Sequence, residues 1–167
     1  LTGGSQVLFD VFEPDQVLDA VEEEGGTVLH GFDSHWADLI REQQQRERDV
    51  TSLRVGTLPA GMESTVPIAR QVQDIFCPTT SGFGMSETWA FIASSHVTNT
   101  LEQRTEASGY PMYGIEFEVR DLDQGHVLGE NEQGALYVRG YTVTSGYWGK
   151  PEATAEVLDD DGWLDTG

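Results

Sequence analysis

Over residues 1–90 the chain alternates short apolar runs with stretches of helical period, and beyond about Ser108 it does not. Val7–Phe9, Thr27–Leu29 and Leu53–Leu58 have strand character. Between them, Pro14–Glu24 reads as a helix with Pro14 at an early position, the apolar stripe Val17, Leu18 and Val21, and Gly25-Gly26 as its stop. Asp33-Ser34 opens a helix running to about Arg48, with Trp36, Leu39 and Ile40 inside and a polar outer face, Arg41–Arg48. Ser64 begins a third, striped by Ile68, Val72, Ile75 and Phe76. This alternation predicts an α/β fold, a mostly parallel sheet with covering helices. After Ser108 the strand-like segments are Glu116–Arg120, Ala135–Val138 and Val143–Tyr147, with a hairpin around Asp123–Gly134 and one short helix, Pro151–Leu158. The expected organisation is a partial α/β subdomain over residues 1–107 and a partial, small, antiparallel barrel-like β subdomain over residues 108–167.

The most informative short stretch is Ser81-Gly82-Phe83-Gly84-Met85-Ser86-Glu87. Glycines admit close approach of a ligand to backbone, an aromatic offers a flat face to a heterocycle, and a hydroxyl and a carboxylate are hard oxygen donors for a phosphate–magnesium assembly. Phe83, Ser86 and Glu87 thus read as one wall of a nucleotide pocket. The bland reading is a glycine-rich loop entering a helix capped by Ser86. Three familiar alternatives lack their residues. No third glycine follows Gly82-Phe83-Gly84 at dinucleotide-fold spacing, no Gly-x-x-x-x-Gly-Lys-Ser/Thr loop is present, and no Gly-x-Ser-x-Gly elbow.

Charge narrows the class of partner. Asp and Glu total 29 against 9 Lys and Arg, a net charge of −20, which opposes nucleic acid and anionic membrane surfaces. The carboxylates are dispersed rather than gathered in a tail, so a folded protein of a salty cytoplasm is the better reading than disorder. The single Cys77 and the histidines His30, His35, His96 and His126 form neither a disulfide framework nor a metal-ligand spacing. No membrane span or leader is visible, and a reducing, cytoplasmic setting is expected. Leu1-Thr2-Gly3-Gly4-Ser5 lacks an initiator Met and Leu164-Asp165-Thr166-Gly167 follows directly on a strand-like segment, so the chain reads as an internal piece of something longer.

Several separated segments then fall into one pattern. Gly82-Phe83-Gly84-Met85-Ser86-Glu87 is similar to a Gly-Tyr-Gly-Met-Thr-Glu core motif. Leu53-Arg54-Val55-Gly56 with Ala60-Gly61-Met62, then Gly109-Tyr110-Pro111, Gly114-Ile115-Glu116, Gly134-Ala135-Leu136-Tyr137-Val138-Arg139-Gly140, Gly146-Tyr147-Trp148, Pro151-Glu152-Ala153-Thr154 and Asp161-Gly162-Trp163 follow in register. The chain resembles the adenylate-forming superfamily, most closely its fatty-acid acyl-CoA synthetases. The resemblance implies that a carboxylic acid is joined to ATP as acyl-adenylate and then passed to coenzyme A, with Mg2+ as the metal.

Carried over by motif, Glu87 would bind magnesium and Ser86 would contact the α-phosphate. Phe83 would stack on adenine, Gly82, Gly84 and Met85 would admit nucleotide and acyl group, and Ala60, Gly61 and Met62 would border them. Small molecules are the implied partners, and oligomeric state is not legible. Gly31-Phe32-Asp33-Ser34-His35-Trp36 stands where the family has Gly-Val-Pro-Thr, so His35 and Trp36 would reshape the acid pocket. The family's phosphate loop, ribose-binding aspartate and catalytic lysine lie outside residues 1–167, which implies that this piece alone is inactive. The alternatives are an aryl-CoA ligase, a carrier-protein-loading adenylation domain, or a non-catalytic acidic interaction module.

The charge makes a direct prediction. Raising KCl from about 0.1 M to about 2 M screens the self-repulsion and should raise the thermal midpoint measured by circular dichroism. A midpoint independent of salt would remove the halophilic reading.

Overall fold

The computed structural model describes residues 3–167; Leu1 and Thr2, which head the leading segment, lie outside the described residues. The chain forms two compact units. One comprises the residues up to Gly82 with Ser95–Gly109, the other Phe83–Ser94 with Tyr110–Gly167.

In the first unit, β1 (Val28–His30), β2 (Val55–Thr57) and β3 (Thr79–Thr80) make a parallel sheet in that order. Its helices are α1 (Pro14–Glu24), α2 (Asp33–Gln45), α3 (Val66–Ile75) and the short α4 (Leu101–Thr105). Leu18, Trp36, Leu39, Leu58 and Val72 are fully buried in its core. α1 has the predicted bounds because Pro14 suits the first helical turn and Gly25 takes a left-handed φ of 64°. The Gly26 N–H then closes on the Val21 carbonyl at 3.0 Å.

α2 ends three residues before the predicted Arg48, and the outer face is not wholly polar surface. Arg48 is buried, with Nε donating to Asp19 at 2.9 Å, and Nη1 donating to Glu42 at 2.9 Å and to the Arg46 carbonyl at 2.7 Å. Leaving the helix lets this one guanidinium tie α1 to α2 with its charge matched, the condition under which burying it is tolerable.

Trp36 is fully buried. Its indole N–H donates to the Thr57 carbonyl at 3.0 Å, and its ring tilts against Phe76 with centroids 5.6 Å apart. Gly56 makes room for it, since a Cβ there would lie 2.8 Å from Trp36 Cζ2. His35 instead sits beside the Phe12 ring, centroids 4.6 Å apart, and its Nδ1 accepts the Phe32 N–H at 3.1 Å. Cys77 is buried, which pushes its thiol up to about 11 and leaves it a packing residue.

In the second unit, β4 (Gly82–Met85, of which Gly82 belongs to the first unit), β5 (Ala90–Ser94) and β6 (Tyr110–Pro111) form one sheet in that order. β7 (Ile115–Arg120), β8 (Ala135–Gly140) and β9 (Leu164–Asp165) form an antiparallel second sheet, and α5 spans Pro151–Val157. The β7–β8 hairpin runs in register from Ile115↔Gly140 to Arg120↔Ala135, and Asp121 Oδ1 starts its connection by accepting the Asp123 and Gln124 N–H groups at 3.0 and 2.7 Å. Ile92, Ile115, Val138 and Leu164 make the core, with Phe83, Met85 and Phe117 packed on it.

Two predicted strands are not strands. Val7–Phe9 pairs with no described residue and leaves Leu8 84% exposed, and a strand has no existence without a ladder. Val143–Tyr147 is an irregular segment because its amides are engaged elsewhere. Thr144 N–H donates to the Glu87 carbonyl (2.7 Å), Gly146 N–H to Thr144 Oγ1 (3.2 Å) and Tyr147 N–H to Thr154 Oγ1 (2.9 Å). Among the described residues no helix is long and apolar enough to cross a membrane.

β4 and β5 approach very closely. A Cβ on Gly84 would lie 1.7 Å from the Ala90 carbonyl oxygen and 2.8 Å from Phe91 Cα. Gly84→Ala should therefore separate the two strands, read as a lowered thermal midpoint and faster amide exchange across Phe83–Ser94. In the first unit, Trp36→Ala should cost about 3–5 kcal/mol in a urea titration, the usual loss for an emptied aromatic site. A loss below about 1 kcal/mol would deny Trp36 its place in the core.

Candidate active site

The residues singled out by sequence fall in two groups, one in each unit. In the first unit Ala60 is buried and locked to the strand end. Its N–H donates to Ser81 Oγ at 2.9 Å, and the same hydroxyl donates back to the Ala60 carbonyl at 3.2 Å. Ser81 N–H donates to Ser95 Oγ at 2.8 Å, and Ser95 N–H to the Ser81 carbonyl at 2.8 Å. Ser81 is thus a buried stitch, a role that the sequence did not disclose. Gly61 turns with φ 112°, and Met62 is 65% exposed rather than packed. Gly82 is buried at the start of β4.

In the second unit, Phe83 is half-buried, edge-on to Phe117 with centroids 6.5 Å apart. Met85 packs on the same core. Gly84 is required by strand packing against Ala90, so its missing side chain is accounted for before any ligand is invoked.

Ser86 does not cap a long helix. Ser86–Thr88 is a single 3-10 turn, and it follows a strand rather than a loop. The stitch here is Thr88, fully buried. Its hydroxyl accepts the Met85 N–H at 3.1 Å and lies 3.0 Å from the Ala90 carbonyl, to which it can donate. The chain then reverses through Trp89 at φ 62° and Ala90 at φ 100°, positions where side chains are disfavoured. Ser86 is left exposed and Glu87 half-buried at the tip. A three-residue turn has little macrodipole, so helix-dipole stabilisation does not explain a carboxylate there.

Glu87 is held from both ends. Its carbonyl accepts the Thr144 N–H at 2.7 Å, and its Oε1 accepts the Tyr147 phenol at 2.8 Å. That bond to a carboxylate holds the Tyr147 phenol above the ordinary tyrosine range, with desolvation adding to it. Tyr147 and Thr144, which the structure brings to this turn, were not singled out in the sequence. Their only sequence signal was membership of the segment around Gly146-Tyr147-Trp148. Beside the turn a cavity of about 520 Å³ is lined by Ser86, Trp89 and residues 141–145.

The donor set limits what metal the turn suits. Among the described residues no three His, Cys, Asp or Glu side chains stand together as a metal cluster. Magnesium characteristically takes one or two carboxylates with the remaining positions filled by water and substrate phosphates. Glu87 fits that use, a single carboxylate offered to a metal that arrives with phosphates.

The comparisons with known proteins point to one family. The acyl-CoA ligase sidI of Aspergillus fumigatus is 32% identical over 100% of this chain, which covers 29% of that protein. The mitochondrial medium-chain acyl-CoA ligase ACSF2 of Macaca fascicularis is 28% identical over 94% of the chain and 26% of its own length. Among solved structures, the amide bond synthetase McbA from Marinactinospora thermotolerans superposes with a TM-score of 0.81 at 35% identity, covering 99% of this chain and 33% of that one. The chain thus spans a third or less of these relatives. Residues 1–148 match the family described as AMP-binding enzyme, and the chain belongs to that family.

Proposed function

We propose that the whole protein is an ATP-dependent, AMP-forming ligase that activates a carboxylic acid, a fatty acid first among them, and transfers it to coenzyme A. The observation that carries this reading is the Ser86–Glu87 turn, whose hydroxyl and carboxylate stand together at a strand tip in a member of the AMP-binding family. In the first step a carboxylate oxygen of the acid bonds to the α-phosphorus of ATP as the bond to pyrophosphate breaks. In the second, the coenzyme A sulfur bonds to the acyl carbon, AMP leaves with the former carboxylate oxygen, and the thiol proton goes to solvent or base.

On this reading Ser86 Oγ donates to the α-phosphate and Glu87 is the carboxylate facing magnesium. When bound, the metal supplies neutralisation of the charge gathering on phosphate oxygens. Phe83 presents its open face to adenine. The resemblance further assigns Ala60, Gly61, Met62, Gly82, Gly84 and Met85 to the surface that takes nucleotide and acyl group. Residues 1–107 would carry most of the nucleotide and acyl surface, and 108–167 the β subdomain. Residues 1–167 alone would be inactive, since they span so small a share of the relatives. A cytoplasmic setting of high salt suits the net charge of −20.

A second reading concerns the acceptor. The 35% identity to a structure described as an amide bond synthetase favours testing an amine in place of the thiol. A panel of aliphatic and aromatic acids with coenzyme A or an amine as acceptor separates fatty-acyl, aryl and amide-forming activities.

Changing Glu87 to Gln in the full-length enzyme should lower ATP–pyrophosphate exchange by at least about 100-fold, the loss expected when a group stabilising transition-state charge is removed. Exchange within about threefold of the unmodified enzyme would exclude the metal role, because the loss of such a group typically costs about 100-fold or more.

A further inference from the structure

The segment Gly146-Tyr147-Trp148 and the helix opened by Pro151-Glu152-Ala153-Thr154 enter the reading above only as marks of resemblance. The geometry gives them a task. We propose that Tyr147 is a positioning residue for Glu87, and that Thr154 on α5 holds Tyr147 in place to do it. This rests on Glu87 being the carboxylate that faces the nucleotide's metal.

The bond is long-range and specific. Tyr147 lies sixty residues beyond Glu87, and its phenol donates to one carboxylate oxygen, Oε1, at 2.8 Å. A carboxylate held through one oxygen has its rotamer fixed and presents the other oxygen alone, which suits monodentate ligation of a small octahedral cation. The backbone that carries the phenol is itself held. Tyr147 N–H donates to Thr154 Oγ1 at 2.9 Å, and Thr154 Oγ1 donates to the Lys150 carbonyl at 2.9 Å within the first turn of α5. Gly146, at φ 133°, passes so close to this threonine that a Cβ would lie 2.7 Å from Thr154 Cγ2. The Thr144 N–H bond to the Glu87 carbonyl pins the backbone of the same turn at 2.7 Å. Backbone and side chain of Glu87 are thus both held by one segment, itself clamped by α5. Hydrogen-bond partners of metal-ligating carboxylates characteristically hold them in the productive orientation.

The test measures how much magnesium strengthens ATP binding to the full-length enzyme, by calorimetric titration with ATP in the presence and absence of Mg2+ and without acid substrate. Tyr147→Phe removes one oxygen and leaves the ring. It should reduce the magnesium-dependent gain in affinity by about 10-fold or more, the range for lost partners of metal ligands, and leave metal-free ATP affinity within about twofold. A merely structural role would weaken both equally. Thr154→Ser, which keeps the hydroxyl, should behave as the unmodified enzyme, while Thr154→Val should lose part of the gain. A full magnesium-dependent gain in Tyr147→Phe overturns the proposal, as does equal loss with and without the metal. Glu87→Gln separates the two levels of inference. If it keeps the gain, Glu87 does not face the metal and the underlying reading falls. If it abolishes the gain while Tyr147→Phe keeps it, only the positioning role falls.

Discussion

The approach of the Ala90 carbonyl to Gly84 governs the candidate site. No side chain fits between β4 and β5 at that point, so the two strands lie in closer contact than any residue but glycine allows. The chain must then reverse within Ser86–Trp89, which forces Trp89 and Ala90 to positive φ and draws Thr88 inward to satisfy the Met85 amide. What is left outside is Ser86 and Glu87. Their prominence is a consequence of backbone crowding beneath them, and the strain at Trp89 and Ala90 is the energetic counterpart of holding them there.

Electrostatics give that carboxylate its meaning. The chain carries few cations, and among the described residues six arginines are occupied in ion pairs with nearby carboxylates, Arg48 and Arg120 each with two. Arg139 and Arg120 also lie over the Trp163 ring at 4.5 and 5.2 Å, so their charge is committed to the β subdomain. The groups bonded to Glu87 are a phenol and a backbone amide, both neutral. A phosphate anion approaching this turn meets negative charge and no arginine bonded to offset it. A divalent cation reverses that sign, so on the proposed reading a single carboxylate at the tip suits a nucleotide that arrives with its metal.

The layout of the fold was largely legible and its local exceptions were not, for reasons that can be named. The stripes Val17, Leu18, Val21 and Trp36, Leu39, Ile40 are buried as their period implies, because a helix has one inner face and the pattern records it. Arg48 misled because a polar outer face and a buried, doubly paired guanidinium are written with the same letters; only the placement of Asp19 and Glu42 distinguishes them. Val143–Tyr147 misled because β-branched and aromatic composition signals extended backbone without saying which acceptors its amides find. At Ser86–Glu87 the expected capped helix proved to be one 3-10 turn fixed by Thr88, whose side chain is invisible in any periodicity.

The same accounting explains why Tyr147 escaped a sequence reading that had quoted its motif. Sequence assigns function most readily to groups that carry charge, and a neutral phenol half-exposed in an irregular segment reads as surface. Its significance is relational, a matter of where Thr154 places it and what lies opposite. A neutral donor is also the one suited to the task. A lysine or arginine opposite Glu87 would neutralise the carboxylate and compete with a cation for it, whereas a phenol orients one oxygen and leaves the negative charge intact. In a chain so rich in acid, one carboxylate is distinguished from its neighbours by being held still rather than by being paired.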